Sequence, residues 1–159
     1  MAQDAQWVLL AYRLPRVPST PRSTVWRRLK RLGAAQLADG LVALPAEART
    51  REALEWVAEE VLDHHGEAMV WLGRPADVAG GAALIHRMTA SVAAEYDAVT
   101  AEATATQGAD ETTRRRVAAR LRRELHRIED RDFFSPHQSD AARRAVDDLA
   151  ANVAEGARP

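Results

Sequence analysis

An α+β fold is predicted: a ferredoxin-like β-α-β-β-α-β sheet with two helices, followed by a C-terminal extension of three helices. Three observations predict it. Four short apolar runs, too short for stable helices, lie within residues 7–72, and no strand signal follows Leu72. Two segments among those runs carry apolar residues at helical spacing. Beyond them the pattern is helical throughout, interrupted at Gln107-Gly108-Ala109 and at Phe133-Phe134-Ser135-Pro136. The expected division is residues 1–75 for the sheet domain and 76–159 for the extension, which either packs on the sheet's open face or forms a hairpin that dimerises. A chain of 159 residues, 47% apolar and 28% charged, is large enough for one domain and too apolar to stay disordered.

The first strand is expected over residues 7–14, where Trp7-Val8-Leu9-Leu10-Ala11 is continuously apolar and reads as a central strand covered on both faces. Pro15, Pro18 and Pro21 then forbid regular structure until Ser19 or Thr20 caps a helix opening near Pro21. Val25, Leu29 and Leu32 form its buried stripe, and Gly33 ends it. Two short runs, 34–38 and 41–44, flank Asp39-Gly40, a pair suited to a type I′ hairpin. Thr50 is expected to cap the second helix, with Leu54, Val57, Val61 and Leu62 on one face and Gly66 as its stop. Residues 68–72 supply the last strand. Gly80-Gly81 reads as a break. The stripes Ile85-Met88-Val92-Tyr96-Val99, Val117-Leu121-Leu125-Ile128 and Ala142-Val146-Leu149-Val153 then mark the three extension helices.

Charge is sorted along this order. Between Asp4 and Asp39 stand Arg13, Arg16, Arg22, Arg27, Arg28, Lys30 and Arg31 with no carboxylate, whereas from Asp39 to Glu67 eight acids face only Arg49 and Arg51. The formal net charge is only −1. A fold that keeps the two stretches apart would present a basic face suited to phosphates or to an acidic partner. Guanidinium groups bind phosphates and the guanine edge in bidentate fashion, so those seven cations are the candidate contacts to double-stranded DNA. The competing reading makes them the wetted side of an amphipathic helix in an arginine-rich chain. A second cluster, Arg114, Arg115, Arg116, Arg120, Arg122, Arg123 and Arg127, follows Glu95, Asp97 and Glu102 of the preceding helix; if the two helices form a hairpin, interhelical ion pairs explain it without a ligand, and contact with DNA is the alternative. Core packing is expected for Trp7, Trp26, Trp56 and Trp71.

Other chemistry finds no support. There is no cysteine, hence no disulfide, thiolate zinc site or thiol nucleophile. His64 and His65 are adjacent, His86, His126 and His137 are isolated, and HExxH, P-loop, GxGxxG and GxSxG motifs are lacking. No metal, no cofactor and no enzymatic activity are expected. Residues 1–6 carry no signal-peptide pattern and no apolar run approaches a membrane span, so the expected location is the cytoplasm.

The segments Trp7-Val-Leu-Leu-Ala-Tyr-Arg-Leu-Pro, Val25-Trp-Arg-Arg-Leu-Lys-Arg-Leu-Gly-Ala, Leu37-Ala-Asp-Gly and Arg49-Thr-Arg-Glu, with the later Ile128-Glu-Asp-Arg-Asp-Phe-Phe, resemble the N-terminal region of ChrB, the chromate-resistance regulator family. The resemblance implies a transcriptional regulator that binds promoter DNA through arginines of the first strand and turn. Family members usually continue into a second domain held to sense chromate. With this chain stopping at Pro159, chromate sensing is not expected within it. The β-α-β-β order also looks like the small CRISPR-adaptation nucleases, but Tyr12-Arg13-Leu14-Pro15 stands where their metal-binding aspartate falls. The alternative function is an interaction module, a homodimer or a dock for a separately encoded sensor protein.

Overall fold

The structure, a computed structural model, describes residues 5–155, with side chains described as far as Ala151. Four strands and five helices run in the order β1 (Trp7–Arg13), α1 (Thr20–Arg31), β2 (Ala35–Ala38), β3 (Leu41–Pro45), α2 (Ala48–Asp63), β4 (Glu67–Gly73), α3 (Val78–Thr106), α4 (Glu111–Glu129) and α5 (Gln138–Glu155). The fold is therefore mixed α+β, with helices alone after the sheet. The chain divides into two compact units, Met1–Met88 and Thr89–Pro159, and α3 begins in the first and ends in the second.

In the first unit the strands lie in the order β2-β3-β1-β4, and each neighbouring pair is antiparallel. The apolar run at Trp7 thus becomes a central strand, with Leu10 opposite Val42 on one side and Val70 on the other. Because side chains alternate across a strand, Val8 and Leu10 share a face with Val42 and Leu44, and all four are buried. Burying each such side chain contributes roughly 1.5–3 kcal/mol. The helices supply Val25 and Leu29 from α1 and Leu54, Val57, Ala58 and Val61 from α2 to the core. α2 packs on β1 and β4 and against α1.

The local signals hold with specific departures. α1 ends as its glycine predicts: Gly33 has φ 78°, its N–H donates to the Lys30 carbonyl (3.0 Å), and the Ala34 N–H donates to the Leu29 carbonyl (3.1 Å). Ser19 stands at the N-cap, but its side chain makes no capping bond. The Asp39-Gly40 turn is not type I′, since of the two only Gly40 has positive φ (72°) and the β2–β3 register shifts between Gln36 and Ala38. A Cβ on Gly40 would lie 2.3 Å from the Tyr12 carbonyl oxygen, so the close approach of β1 excludes any larger residue. Thr50 is not the cap of α2. Glu47 is, and the Thr50 hydroxyl accepts from the Glu47 N–H (3.0 Å) while donating to the Pro45 carbonyl (2.5 Å). Leu62 is exposed and Ala58 completes the stripe. The left-handed residue after α2 is His65 (φ 62°); Gly66 is required instead because a Cβ there would lie 2.5 Å from the Arg13 carbonyl oxygen. Gly80-Gly81 does not break the chain. Both lie inside α3, where the Asp77 carboxylate accepts from the Gly80 N–H (2.6 Å) and caps the helix.

In the second unit α3, α4 and α5 bury their stripes against one another. Val92, Tyr96, Val99 and Ala103 meet Ala118, Leu121, Leu125 and Ile128 of α4 and Ala142, Val146 and Leu149 of α5 in one core. Val117 is only partly buried and Ala118 takes its place in the stripe; likewise Leu84 is buried where Ile85 was expected. The side chain of Val153 lies outside those described. Arg131 pairs with Glu95, Arg120 with Glu102, and Arg143 with Glu129 (2.7 Å), so ion pairs link the helices in sequence. The Tyr96 hydroxyl donates to Asp132 (3.0 Å), whose other oxygen accepts from the Phe134 and Ser135 N–H groups (3.1 and 2.8 Å) and fixes the turn before α5.

Candidate nucleic-acid interface

α1 is helical because Pro21 sits in its first turn and Val25 and Leu29 are buried in the core; at 100° per residue, that burial turns Trp26, Arg27, Lys30 and Arg31 outward. Lys30 Nζ lies 4.4 Å from the centroid of the exposed Trp26 ring, a cation–π arrangement between neighbours four residues apart. Arg27 Nε donates to the Ser23 carbonyl (3.3 Å) along the same face. The side chains of Arg31 and Arg16, the latter in the loop before α1, are exposed and make no hydrogen bond or ion pair among the described residues. Arg22 sits in the first turn of α1 and acts on the Tyr12 phenol, whose pKa burial raises while the Arg22 charge opposes the rise.

Arg13 and Arg28 stand differently. Arg28 donates to Glu60 of α2 (2.7 Å), and Arg13, paired in register with Glu67 across β1 and β4, lies 3.1 Å from its carboxylate. The Arg13 pair is about four-fifths exposed on both sides and adds little stability, yet each pair neutralises its cation locally. The structure therefore brings Arg27, Lys30 and Arg31 together on one face, sets Arg16 in the loop before it and Arg22 in its first turn, and couples Arg28 to Glu60 of α2 and Arg13 to Glu67 of β4.

A cleft of about 260 Å³ beside α1 is lined by Arg28, Leu32, Arg49, Glu52, Ala53 and Trp56. The outward residues of α2 (Glu52, Glu55, Glu59 and Asp63) are exposed, with Arg51 held by Glu55 (2.9 Å). The helical layer is thus basic along α1 and acidic along α2, and a phosphate backbone is attracted to the first and repelled by the second.

The tryptophans depart furthest from expectation. Trp7 alone is in the core; Trp26, Trp56 and Trp71 are 48, 57 and 55% exposed. Trp26 lies one residue from Val25 and Trp56 one from Val57, which is 100° off each buried stripe, a displacement visible in the sequence. Trp71 is on the sheet face opposite α1 and α2, on edge strand β4.

On α4, Arg120 and Arg122 bridge to Glu102 and Asp147, Arg115 pairs within the helix with Glu111, and Arg114 donates to the Ala109 carbonyl. Arg116, Arg123 and Arg127 are exposed with no ion pair among the described residues, so pairing accounts for only part of the second cluster. Among the described residues no three His, Asp or Glu side chains group to hold a metal, and no helix is long and apolar enough to cross a membrane.

The sequence model of the family described as "Protein ChrB, N-terminal" matches residues 22–158. Protein ChrB of Cupriavidus metallidurans is 32% identical over 141 residues, which cover 87% of this chain and 43% of the relative. The chain thus spans less than half the length of the curated relative it matches. On the family match and that identity, the chain belongs to the ChrB family, to its N-terminal region.

Proposed function

We propose that the chain is a non-enzymatic, DNA-binding transcriptional regulator of the chromate-resistance type, acting in the cytoplasm, that contacts duplex phosphates through the outward face of α1. The observation that carries this reading is the grouping of Arg27, Lys30 and Arg31 beside exposed Trp26, with no carboxylate among the described residues engaging any of the three. Cations left unneutralised on one helix face release counterions when they meet phosphates, and an aromatic ring among them adds a stacking surface. Arg16 and Arg22 extend the same path, whereas Arg13 and Arg28 serve mainly as struts to Glu67 and Glu60. Membership of the ChrB family supports the regulatory role. The strand order β2-β3-β1-β4, with helices after β1 and β3, supports a ferredoxin-like reading of the sheet. The test is a salt-series titration against duplex DNA from upstream of the gene and a scrambled duplex of equal length. A steep salt slope with preference for the native sequence is expected, and absence of binding to either at low salt would end the proposal.

A second reading is favoured by one observation, the apolar edge strand β4, on which Met69, Trp71 and Leu72 are all about half exposed. Unprotected edges of this kind accept partners. In this reading the chain dimerises or docks a separately encoded chromate-sensing protein. Light scattering that finds only monomer at high micromolar concentration would remove the dimer version.

A further inference from the structure

On the sheet face away from α1 and α2, the first turns of α3 stand over β1 and its neighbours and leave a half-open cleft of about 520 Å³. Its floor is Trp7, Leu9 and Ala43, with Ala83 on the α3 side. Trp7 and Ala43 are buried, so the floor is rigid core. Among the described residues, the charged groups that line the cleft are Arg74 and Arg87. Arg87 Nη2 donates to the Gln36 carbonyl (3.0 Å), which fixes the guanidinium across from β2. Asp77, close by in sequence, is engaged by the Gly80 N–H at 2.6 Å.

Size, polarity and charge together select a class of ligand. The volume falls within the roughly 300–1,000 Å³ of small-molecule sites, which are mostly apolar with a few fixed polar groups. The part of the lining that water reaches, Leu37, Ala83 and the half-buried Leu9, gains by being covered, and a guanidinium fixed by one hydrogen bond still presents other N–H donors in a planar fork suited to a carboxylate or sulfonate. A small inorganic oxyanion would use the arginines and leave Leu37 and Ala83 uncovered. We propose that this cleft binds an organic monoanion with a flat or branched apolar body and one carboxylate or sulfonate head. The site is separate from the α1 face and does not depend on DNA binding. A ligand seated against residues 80–87 would also touch the helix that continues into the second unit.

The experiment titrates the isotopically labelled full chain with 2-naphthoate and with its uncharged counterpart 2-naphthylmethanol, following amide and indole resonances. The expected result is shifts at the Trp7 indole and the Gly73 and Gly80 amides, with naphthoate bound about tenfold more tightly because a charge-assisted hydrogen bond is formed. Arg74→Gln with Arg87→Gln should erase that preference while leaving the alcohol's affinity unchanged. Ala83→Trp, at an exposed position that can take the larger side chain, should fill the cleft and abolish the shifts from both probes. Equal affinity of the two probes for the unmodified protein would overturn the proposal, as would shifts that map to Met69 and Trp71 instead. Concentration-dependent shifts at Gly73 and Gly80 without any probe would assign the cleft to a second copy of the chain and overturn it equally.

Discussion

Replacing Arg27, Lys30 and Arg31 together by alanine removes three cations of the α1 face that no carboxylate among the described residues engages. If each meets one phosphate, the slope of log K against log salt should fall by about 0.9 per residue, or about 2.7 in total. Between 50 and 200 mM salt that change alters the ratio of wild-type to variant affinity by about 40-fold, with the larger deficit at low salt. Alanine is the best helix former, so α1 should survive the substitution, and circular dichroism checks this. The matched control is Arg28→Ala with Glu60→Ala, which deletes a cation and the acid bound to it at 2.7 Å and should leave the slope almost unchanged. Fluorescence anisotropy of a labelled duplex across a salt series reads both variants. A triple variant with the wild-type slope would remove α1 from the interface. A control that lost as much slope as the triple variant would show that ion pairing does not decide which arginines reach phosphate.

Gly66→Ala should destabilise the protein by about 2–3 kcal/mol in urea unfolding, because the new Cβ would sit 2.5 Å from the Arg13 carbonyl and 2.9 Å from that of Val61. Leu121→Ala, in the core of the second unit and 1% exposed, should cost about 3 kcal/mol; a loss below about 1 kcal/mol would mean that the three helices do not share that core. Tyr96 adds a dependence on alkaline pH. Burial first, and then the hydrogen bond to the Asp132 carboxylate, raise its phenol far above the ordinary value near 10. Below that value the hydroxyl is protonated in both states and its stabilisation is fully present. As pH rises past it, the unfolded chain loses the proton first and stability falls. Tyr96→Phe should cost about 1 kcal/mol at pH 7 and flatten this alkaline decline, read as denaturation midpoints at pH 8 and pH 11.

Local features carried most of the architecture. The order of elements, the glycine stop at Gly33 and the stripes Val25-Leu29, Leu54-Val57-Val61 and Leu121-Leu125-Ile128 follow from periodicity and turn chemistry, which act over a few residues and are written in the chain itself. The turn at Asp39-Gly40 was legible as a turn but not as to type, because its backbone answers to the approach of Tyr12 from β1. Gly80-Gly81 misled, since the Asp77 cap and a 29-residue helix outweigh a glycine cost of about 1 kcal/mol each.

The candidate site divides in the same way. That α1 is basic, and which of its residues face outward, could be read from composition and a helical wheel, including the exposed position of Trp26. Which cations stay unneutralised could not. Arg28 meets Glu60, 32 residues away in sequence, and Arg13 meets Glu67 because β1 and β4 pair in that register. Likewise, the cleft over Trp7 and Leu9 exists only because α3 returns over a sheet whose strands come from four separate stretches of chain. Spacing along a chain fixes the face on which a side chain stands; charge pairing and cavities depend on what the fold brings opposite it, and only the tertiary structure decides that.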